Sequence, residues 1–165
     1  RDTANSVERV FVVEVMGRDS GYIASRVALA GGAENVMLPE LPYNCDQICE
    51  EILKGHERGK ISWIVVVAEG AGHAPDIAAK IKDGTGLETR TAVLGHIQRG
   101  GRPTAFDRIL AARLGAFAVE TFKNGIHDVC VSAHNDMLAT ITLADAVKPK
   151  DQEMSDYYRL IKNLT

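Results

Sequence analysis

The strongest chemical pattern in the sequence is a run of arginine, histidine and glycine near position 95. It reads Arg90-x4-Gly95-His96-x-Gln98-Arg99-Gly100-Gly101. Arginine grips phosphate through two parallel N–H donors, and a double glycine lets the backbone pass close to a ligand. A turn with only a structural role rarely needs this combination. The run therefore predicts a site for a phosphorylated ligand.

Two other segments carry polar residues that could join such a site. Met16-Gly17-Arg18 follows one apolar run, and Glu69 ends another. Arg18 could meet a phosphate or a sugar oxygen. Glu69 could accept hydrogen bonds from sugar hydroxyls, since a carboxylate at the end of a buried strand is costly unless it is paired. The residues alone also fit an ordinary strand–helix turn at Arg18, capped by Asp19 or Ser20, and a helix cap at Glu69.

Two glycine-rich segments fail the standard nucleotide-binding patterns. Gly70-Ala-Gly72 lacks the third glycine of a dinucleotide fingerprint, because Pro75 stands in its position. Gly55–Lys60 is one residue short of a P-loop and is followed by Ile61. We therefore expect neither kind of nucleotide site in this chain.

Apolar, β-branched runs alternate with helical patterns along the sequence. The predicted strands are 7–16, 35–38, 62–68, 89–94, 128–132 and 138–141, and the predicted helices are 20–30, 46–60, 74–82, 105–123 and 152–163. Thr104 and Asp107 predict a capping box. This alternation predicts an α/β fold with a mostly parallel, Rossmann-like three-layer sheet. Ligands bind at the carboxyl ends of strands in such sheets, so the segments after Met16, Ala68 and Leu94 are expected to form the site.

The composition is that of a globular domain. The 165 residues are 45% apolar and 25% charged, with a formal net charge of −3. With no basic run, signal peptide or membrane-spanning stretch, we expect a cytoplasmic protein without nucleic-acid or membrane partners. Cys45, Cys49 and Cys130 are interpreted as half-buried structural thiols. Arg1 in place of Met, and an opening without a strand, predict a chain cut from a longer protein.

These motifs resemble the 6-phosphofructokinase family. The run from Arg90 to Gly101, continued by Asp107-Arg108, matches the family signature at every specified position, and Val12–Arg18 looks like its second hallmark. The resemblance weakens after Ile141. It implies the second half of a bacterial-type, ATP-dependent enzyme of glycolysis, which phosphorylates fructose 6-phosphate to fructose 1,6-bisphosphate.

The resemblance implies roles for individual residues. Those expected to bind fructose 6-phosphate within one subunit are Met16, Gly17, Arg18, Glu69, His96 and Arg99. Arg18 would also act catalytically, beside the transferring phosphoryl group. Arg9 and Arg90 would reach the 6-phosphate bound by a neighbouring subunit. A shared active site implies a homo-oligomer, a tetramer in this family, and a monomer that binds sugar poorly.

A second group resembles the effector site of bacterial, allosteric members. Arg1, Arg58 and Lys60 would bind the phosphates of ADP or phosphoenolpyruvate, and Glu34 would meet the magnesium ion of the effector. The residues alone also fit a simpler interpretation, in which Arg58 and Lys60 are solvated charges at a helix C-terminus.

The resemblance also implies a division of the chain. Residues 1–98 would form most of a smaller sugar-phosphate and effector domain, 99–147 would complete the larger nucleotide domain, and 148–165 would return to the smaller one. The family's nucleotide loop and catalytic base lie upstream, so ATP and the main Mg²⁺ ligands would come from the missing half. We therefore expect no kinase activity from this chain alone. A pyrophosphate-dependent enzyme of the same family and a noncatalytic sugar-phosphate-binding regulatory half remain alternatives.

Overall fold

The structure is a computed structural model that describes residues 9–148 and 151–164. Its elements, in chain order, are β1 (Val10–Val15), α1 (Tyr22–Gly31), β2 (Asn35–Met37), α2 (Cys45–Glu57), β3 (Trp63–Ala68), α3 (Ala74–Thr85), β4 (Thr89–Val93), a 3-10 helix (Gly95–Gln98), α4 (Ala105–Lys123), β5 (Val129–His134), β6 (Met137–Thr142), α5 (Leu143–Ala146) and α6 (Asp151–Asn163). The chain divides into two compact units, with boundaries between residues 98 and 99 and between 149 and 150.

The first unit is built on a four-stranded parallel sheet with the order β2-β3-β1-β4. β1 lies between β3 and β4, and Val15 is opposite Ala68 in β3. The chain passes from β1 to β2 and β3 on one side, then crosses to β4 on the other. β1 is therefore the strand at which the order reverses, and in open α/β sheets ligands bind beside such a strand.

Alternating side chains of the strands form a core on each face of this sheet. Val12, Val65 and Val67 point to one face, which α2 and α3 cover. Val66 and Ala68 point to the other face, which α1 and α6 cover. Because both faces are buried, the strands read as nearly continuous apolar runs in the sequence. The prediction of a three-layer, mostly parallel α/β sheet is confirmed.

The second unit contains α4 and an antiparallel hairpin of β5 and β6. The predicted capping box at the start of α4 is present: Asp107 N–H donates to the Thr104 hydroxyl, and the Asp107 carboxylate accepts from Thr104 N–H at 2.7 Å. Many apolar side chains of α4 are nevertheless exposed, including Phe106 at 71%, Ile109 at 60% and Phe122 at 69%. This unit thus buries little of its apolar surface by itself.

Several local predictions differ from the structure. Residues 7 and 8 of the first predicted strand lie outside the described residues. The N-cap residue of α1 is Gly21, which lacks a side chain, but the Ser20 hydroxyl accepts a hydrogen bond from the first N–H group of the helix, that of Tyr22, at 3.3 Å. The turn after β4 is a 3-10 helix, and a short helix, α5, follows β6. Single turns of helix carry too little apolar periodicity to be recognised in a sequence.

The predicted thiol environment agrees with the structure. Cys49 is buried, whereas Cys45 and Cys130 are half-buried, and all three are free. Burial raises the pKa of the Cys45 and Cys49 thiols, which keeps them protonated and weakly nucleophilic. Within the described part of the chain, none of the helices has the length and apolar character needed to cross a membrane.

A chain of hydrogen bonds ties α6 to the rest of the first unit. The Trp63 indole N–H donates to Asn35 at 2.6 Å, and the Asn35 side-chain amide donates to Glu51 at 2.8 Å. Lys162 of α6 donates to the same Glu51 carboxylate. Burial alone would raise the pKa of Glu51, but hydrogen bonds from Lys162 and Asn35 outweigh it and lower the pKa. The ionised carboxylate thus links β2, β3, α2 and α6.

Glu51→Gln should lower the free energy of unfolding at pH 7 by about 1–2 kcal/mol, because it weakens charge-assisted hydrogen bonds. A depressed pKa adds stability that is present above the ordinary carboxyl pKa and is lost as the pH falls through the depressed value. The difference from the wild type should therefore shrink as the pH falls below the ordinary glutamate pKa of about 4.3. Urea titrations at each pH, followed by the fluorescence of Trp63, the only tryptophan, measure the free energy of unfolding of this unit.

The matched control is Glu50→Gln on the same helix. Glu50 pairs with Lys54 at 3.4 Å on the surface, with both side chains more than 60% exposed, so its loss should cost under about 0.5 kcal/mol. A Glu51→Gln loss that equals the control, or that persists unchanged in acid, contradicts the assigned role.

Candidate functional site

The carboxyl ends of three neighbouring strands lie at one edge of the parallel sheet. Glu69 N–H donates to the Val15 carbonyl at 3.0 Å, and Leu94 N–H donates to the Glu14 carbonyl at 3.1 Å. These bonds continue the sheet pairing to the last residues of β1, β3 and β4. They bring the loops that follow the three strands to the same edge, as the sequence predicted.

Glu69 fixes the loop that follows β1. Its Oε1 atom accepts hydrogen bonds from the backbone N–H groups of Gly17, at 3.1 Å, and Arg18, at 2.7 Å. Two backbone donors on one carboxylate oxygen stabilise its negative charge at this half-buried position. Glu69 therefore positions Arg18 through the main chain, which the sequence did not indicate.

The backbone of Arg18 is itself unusual. Its φ of 51° lies in the left-handed region, which costs a non-glycine residue about 1–2 kcal/mol. The Arg18 carbonyl also approaches Gly70 so closely that a Cβ atom there would lie 2.0 Å from the carbonyl oxygen. Strain of this kind persists only where the surroundings impose it. The Arg18 side chain itself is exposed.

His96 and Arg99 follow the end of β4. His96 lies in the 3-10 helix of the first unit, and Arg99 is the first residue of the second unit; both are exposed. Gly100 and Gly101 come next and have φ values of 96° and 89°. Few other residues adopt this left-handed backbone readily, so the double glycine of the motif is needed for the path of the chain.

Arg9 and Arg90 lie at the opposite edge of the sheet from Arg18. Arg9 immediately precedes β1, and Arg90 pairs with Phe11 near the start of that strand. Both donate to one exposed carboxylate, Glu88, at 2.7 and 2.6 Å respectively. The six residues of β1 separate the two edges, a distance of roughly 20 Å. These two arginines therefore do not join Arg18 within one copy of the chain.

The structure corrects the interpretation of Glu69 as a cap for the next helix. That role belongs to Glu14 of β1, whose Oε2 atom accepts from Ala74 N–H at 2.7 Å. Its other oxygen, Oε1, lies 3.8 Å from His73 Nδ1. A carboxylate at the amino end of α3 also interacts favourably with the helix dipole.

Three of the four predicted effector residues fall within the described residues; Arg1 lies outside them. Glu34 is buried, pairs with Lys60 at 3.0 Å, and accepts from Ile64 N–H at 2.6 Å. Lys60 and Arg58 line a cleft of about 300 Å³, whose other lining residues are Glu51, Lys54, Gly55, Trp63 and Lys162. Lys60 is thus half-buried and paired with a buried carboxylate, whereas Arg58 is exposed.

Among residues 9–148 and 151–164, no cluster of three or more Asp, Glu, His or Cys side chains is placed to hold a metal ion. Mg²⁺ usually binds one or two carboxylates and completes its shell with phosphate oxygens and water. Glu34 is a single carboxylate, so it could hold Mg²⁺ only if a phosphorylated ligand supplied further oxygen ligands. The Mg²⁺ ion would also have to displace the Lys60 ammonium group from Glu34.

Sequence reasoning missed one further carboxylate at this edge. Both Glu40 oxygens lie within hydrogen-bonding distance of Gly21 N, at 2.9 and 3.0 Å. Glu40 follows β2, the one strand of this sheet whose carboxyl end was not considered as part of the site. An acidic residue three positions beyond a buried strand was the available signal.

The chain is thus an α/β domain in which the loops after three adjacent parallel strands lie at one edge of the sheet. The chain belongs to the phosphofructokinase family, because the sequence profile described as Phosphofructokinase matches residues 1–122. It is 48% identical to the ATP-dependent 6-phosphofructokinase of Bacillus pumilus and 46% identical to that of Bacillus subtilis, in each case over the whole chain and 52% of the relative. The chain spans about half the length of the curated relatives it matches.

Solved structures agree with this family. Phosphofructokinase from Saccharomyces cerevisiae superposes with a TM-score of 0.77 and 35% identity, over 99% of this chain and 23% of that one. A pyrophosphate-dependent phosphofructokinase from Marinobacter aquaeolei superposes with a TM-score of 0.71, over 97% of this chain and 51% of that one. At 24% identity, the second similarity concerns the fold alone.

Gly70→Ala should lower the free energy of unfolding by about 1–3 kcal/mol, because the new methyl group overlaps the Arg18 carbonyl and forces the backbone apart. Gly72→Ala is the control. A Cβ atom there would have its nearest neighbour at 3.6 Å, so the change should be within about 0.5 kcal/mol. Chemical denaturation of both variants measures the difference, and equal effects contradict the close approach.

Proposed function

We propose that this chain is the sugar-phosphate-binding half of an ATP-dependent 6-phosphofructokinase. The proposal rests on the loops that carry Arg18, Glu69 and His96, which follow adjacent parallel strands at one edge of the sheet. It is supported by the relatives named ATP-dependent 6-phosphofructokinase, which match the chain over its whole length. The reaction would convert fructose 6-phosphate to fructose 1,6-bisphosphate in glycolysis, in the cytoplasm.

In this reaction the 1-hydroxyl oxygen of fructose 6-phosphate attacks the γ-phosphorus of ATP. The bond between the γ-phosphorus and the bridging oxygen breaks, ADP leaves, and a base accepts the hydroxyl proton. Catalysis of phosphoryl transfer depends mainly on positioning and on stabilising charge at the transferred group. The guanidinium of Arg18 would supply part of that charge, whereas the base, the ATP pocket and the main Mg²⁺ ligands would come from the other half.

The sugar phosphate would be held by residues after all three strands. Met16 and Gly17 would line the pocket, and His96 and Arg99 would bind the 6-phosphate. A carboxylate can accept about four hydrogen bonds. Glu69 can therefore hold the loop after β1 and also accept from sugar hydroxyls.

Two arginines are better placed to serve a second copy of the protein. Arg9 and Arg90 lie together around Glu88, on the edge opposite Arg18. From there they would reach the 6-phosphate bound by a neighbouring subunit. In this arrangement each active site would contain residues of two subunits and would be complete only in the oligomer, which we propose is a homotetramer.

The second unit would complete the larger, nucleotide-binding domain. The exposed apolar side chains of α4, among them Phe106 and Ile109, favour this assignment, because large exposed apolar patches mark surfaces that pack against another element. Residues 1–98 and the final helix would form the smaller domain.

The cleft beside Lys60 would serve as an allosteric site. Arg58 and Lys60 would bind the phosphates of ADP or phosphoenolpyruvate, and Glu34 would hold a magnesium ion that the effector brings. Arg1 would complete this set of cations. The cleft is lined by four described lysine and arginine side chains and one carboxylate. Lys54, Lys60 and Lys162 already pair with glutamates, so a bound anion would compete with those ion pairs.

The first test joins this chain to the amino-terminal half of the Bacillus pumilus relative, since the chain matches the carboxyl-terminal half of that enzyme. His96→Ala or Arg99→Ala should raise the KM for fructose 6-phosphate roughly tenfold or more, as expected for the loss of a charged hydrogen bond worth about 1.5–3 kcal/mol. The KM for ATP should change little. Steady-state kinetics with each substrate varied in turn measure the two constants.

Lys82→Ala, an exposed change on α3, controls for nonspecific effects. Equal increases in both KM values would contradict the assignment of His96 and Arg99. The chain without the upstream half should show no turnover, and activity from it alone would refute the half-site proposal.

The effector site makes a separate prediction for the 165-residue chain. Arg58→Ala should weaken binding of ADP about tenfold, because it removes a charge-assisted contact. Arg159→Ala, which changes an exposed arginine on α6, should leave binding unchanged. Titrations followed by Trp63 fluorescence measure the affinity, and indistinguishable effects of the two variants would overturn the site.

A further inference from the structure

The loop that carries Arg18 is held at both of its ends by carboxylates. At its beginning, Glu69 accepts from the backbone N–H groups of Gly17 and Arg18. At its end, Glu40 accepts from Gly21 N–H, with its two oxygens 2.9 and 3.0 Å from the nitrogen. The anchors come from different strand ends, since Glu69 follows β3 and Glu40 follows β2.

Glu40 adds a charged acceptor at the start of α1, beside the Ser20 hydroxyl that accepts from Tyr22 N–H at 3.3 Å. The N-cap residue is Gly21, and no side-chain cap hydrogen bond is present there. A Cβ atom at Gly21 would lie 2.6 Å from Leu38 Cδ2 and 2.7 Å from Glu40 Oε2. The glycine thus lets the carboxylate approach the start of the helix, where a negative charge is favoured.

Only Asp19 and Ser20 lie between Arg18, which Glu69 anchors, and Gly21, which Glu40 anchors. Ser20 N–H donates to the Gly17 carbonyl at 3.0 Å, which closes the segment into a tight turn. The left-handed backbone of Arg18 falls inside this turn. Because the turn is short and strained, a shift of either anchor must be transmitted to Arg18.

We infer that Glu40 is a positioning residue for Arg18, acting through the main chain rather than on the substrate. This inference rests on the proposed function, in which the Arg18 guanidinium meets the transferring phosphoryl group. Reactive groups misplaced by about 1 Å can lose about a hundredfold in rate. Loss of the second anchor should therefore lower the rate of phosphoryl transfer even while Glu69 remains.

The kinetic test uses the fusion of this chain with the amino-terminal half of the Bacillus pumilus relative. Glu40→Ala should lower kcat by at least about tenfold, with the KM for ATP unchanged. Glu40→Gln keeps one oxygen that accepts from Gly21 N–H and should restore most of the rate. Glu57→Gln, at an exposed position at the end of α2, is the control and should leave kcat unchanged.

A second measurement is made on the 165-residue chain and does not depend on activity. In Glu40→Ala, the backbone amide resonances of Gly17 and Arg18 should shift, and their hydrogen exchange should accelerate, although their own acceptor is Glu69. Glu40→Asp, which keeps the charge but draws the carboxylate back by one methylene, should shift them less. If the Glu40→Ala variant does not fold, Glu40→Asp replaces it as the test variant.

These measurements separate the two proposals. If the wild-type fusion does not phosphorylate fructose 6-phosphate, the proposed function fails, and the amide measurement alone decides whether Glu40 positions the loop. If Glu40→Ala lowers stability but leaves the rate per folded molecule unchanged, the inference is overturned. Amide changes confined to Gly21 and α1, with Gly17 and Arg18 unchanged, overturn it equally.

Discussion

The parallel pairing of β1 with strands on both sides is the constraint on which the rest of the structure depends. Because Val15 is opposite Ala68, and Leu94 N–H bonds to the Glu14 carbonyl, β1, β3 and β4 end at the same height. A shift of one residue in either pairing would turn the side chains of a strand to the other face. It would also carry its following loop away from the other two.

Carboxylates that accept hydrogen bonds from main-chain N–H groups hold the loops at this edge. Glu14 accepts from the start of α3, Glu69 from the segment after β1, and Glu40 from the start of α1. Each bond joins an acidic side chain to main-chain N–H groups of another segment. Charged acceptors make stronger hydrogen bonds than neutral ones, so the backbone is fixed without using the cationic side chains. The arginine and histidine side chains at this edge can then serve a ligand.

Much of the fold could be predicted from the sequence because its signals are local. The strands buried on both faces read as apolar runs, and the capping box of Thr104 and Asp107 fixed the start of α4 to the residue. Ligands bind at the carboxyl ends of the strands in parallel sheets, so the loops after β1, β3 and β4 could be predicted to form the site. The motif around His96 narrowed the chemistry to phosphate binding.

The remaining features depend on contacts that leave no local pattern. Glu40 and Gly21 are 19 residues apart, and Glu69 and Arg18 are 51 residues apart. Whether a carboxylate bonds to a helix start or to a neighbouring loop depends on strand order, which the sequence alone did not fix. The same limit explains why Glu69 was a possible helix cap while Glu14, in the middle of an apolar run, was overlooked.

The return of α6 to the first unit imposes an order on how the protein can form. Ribosomes deliver earlier residues first, and domains tend to fold as they emerge. Met154 and Ile161 of α6 belong to the core beneath α1, yet they are synthesised only after the entire second unit. Until α6 is synthesised, the apolar surface that it covers beside α1 stays exposed to solvent. Newly synthesised chains are therefore prone to aggregation during this interval. A chaperone that shields α1 would raise the yield of native protein.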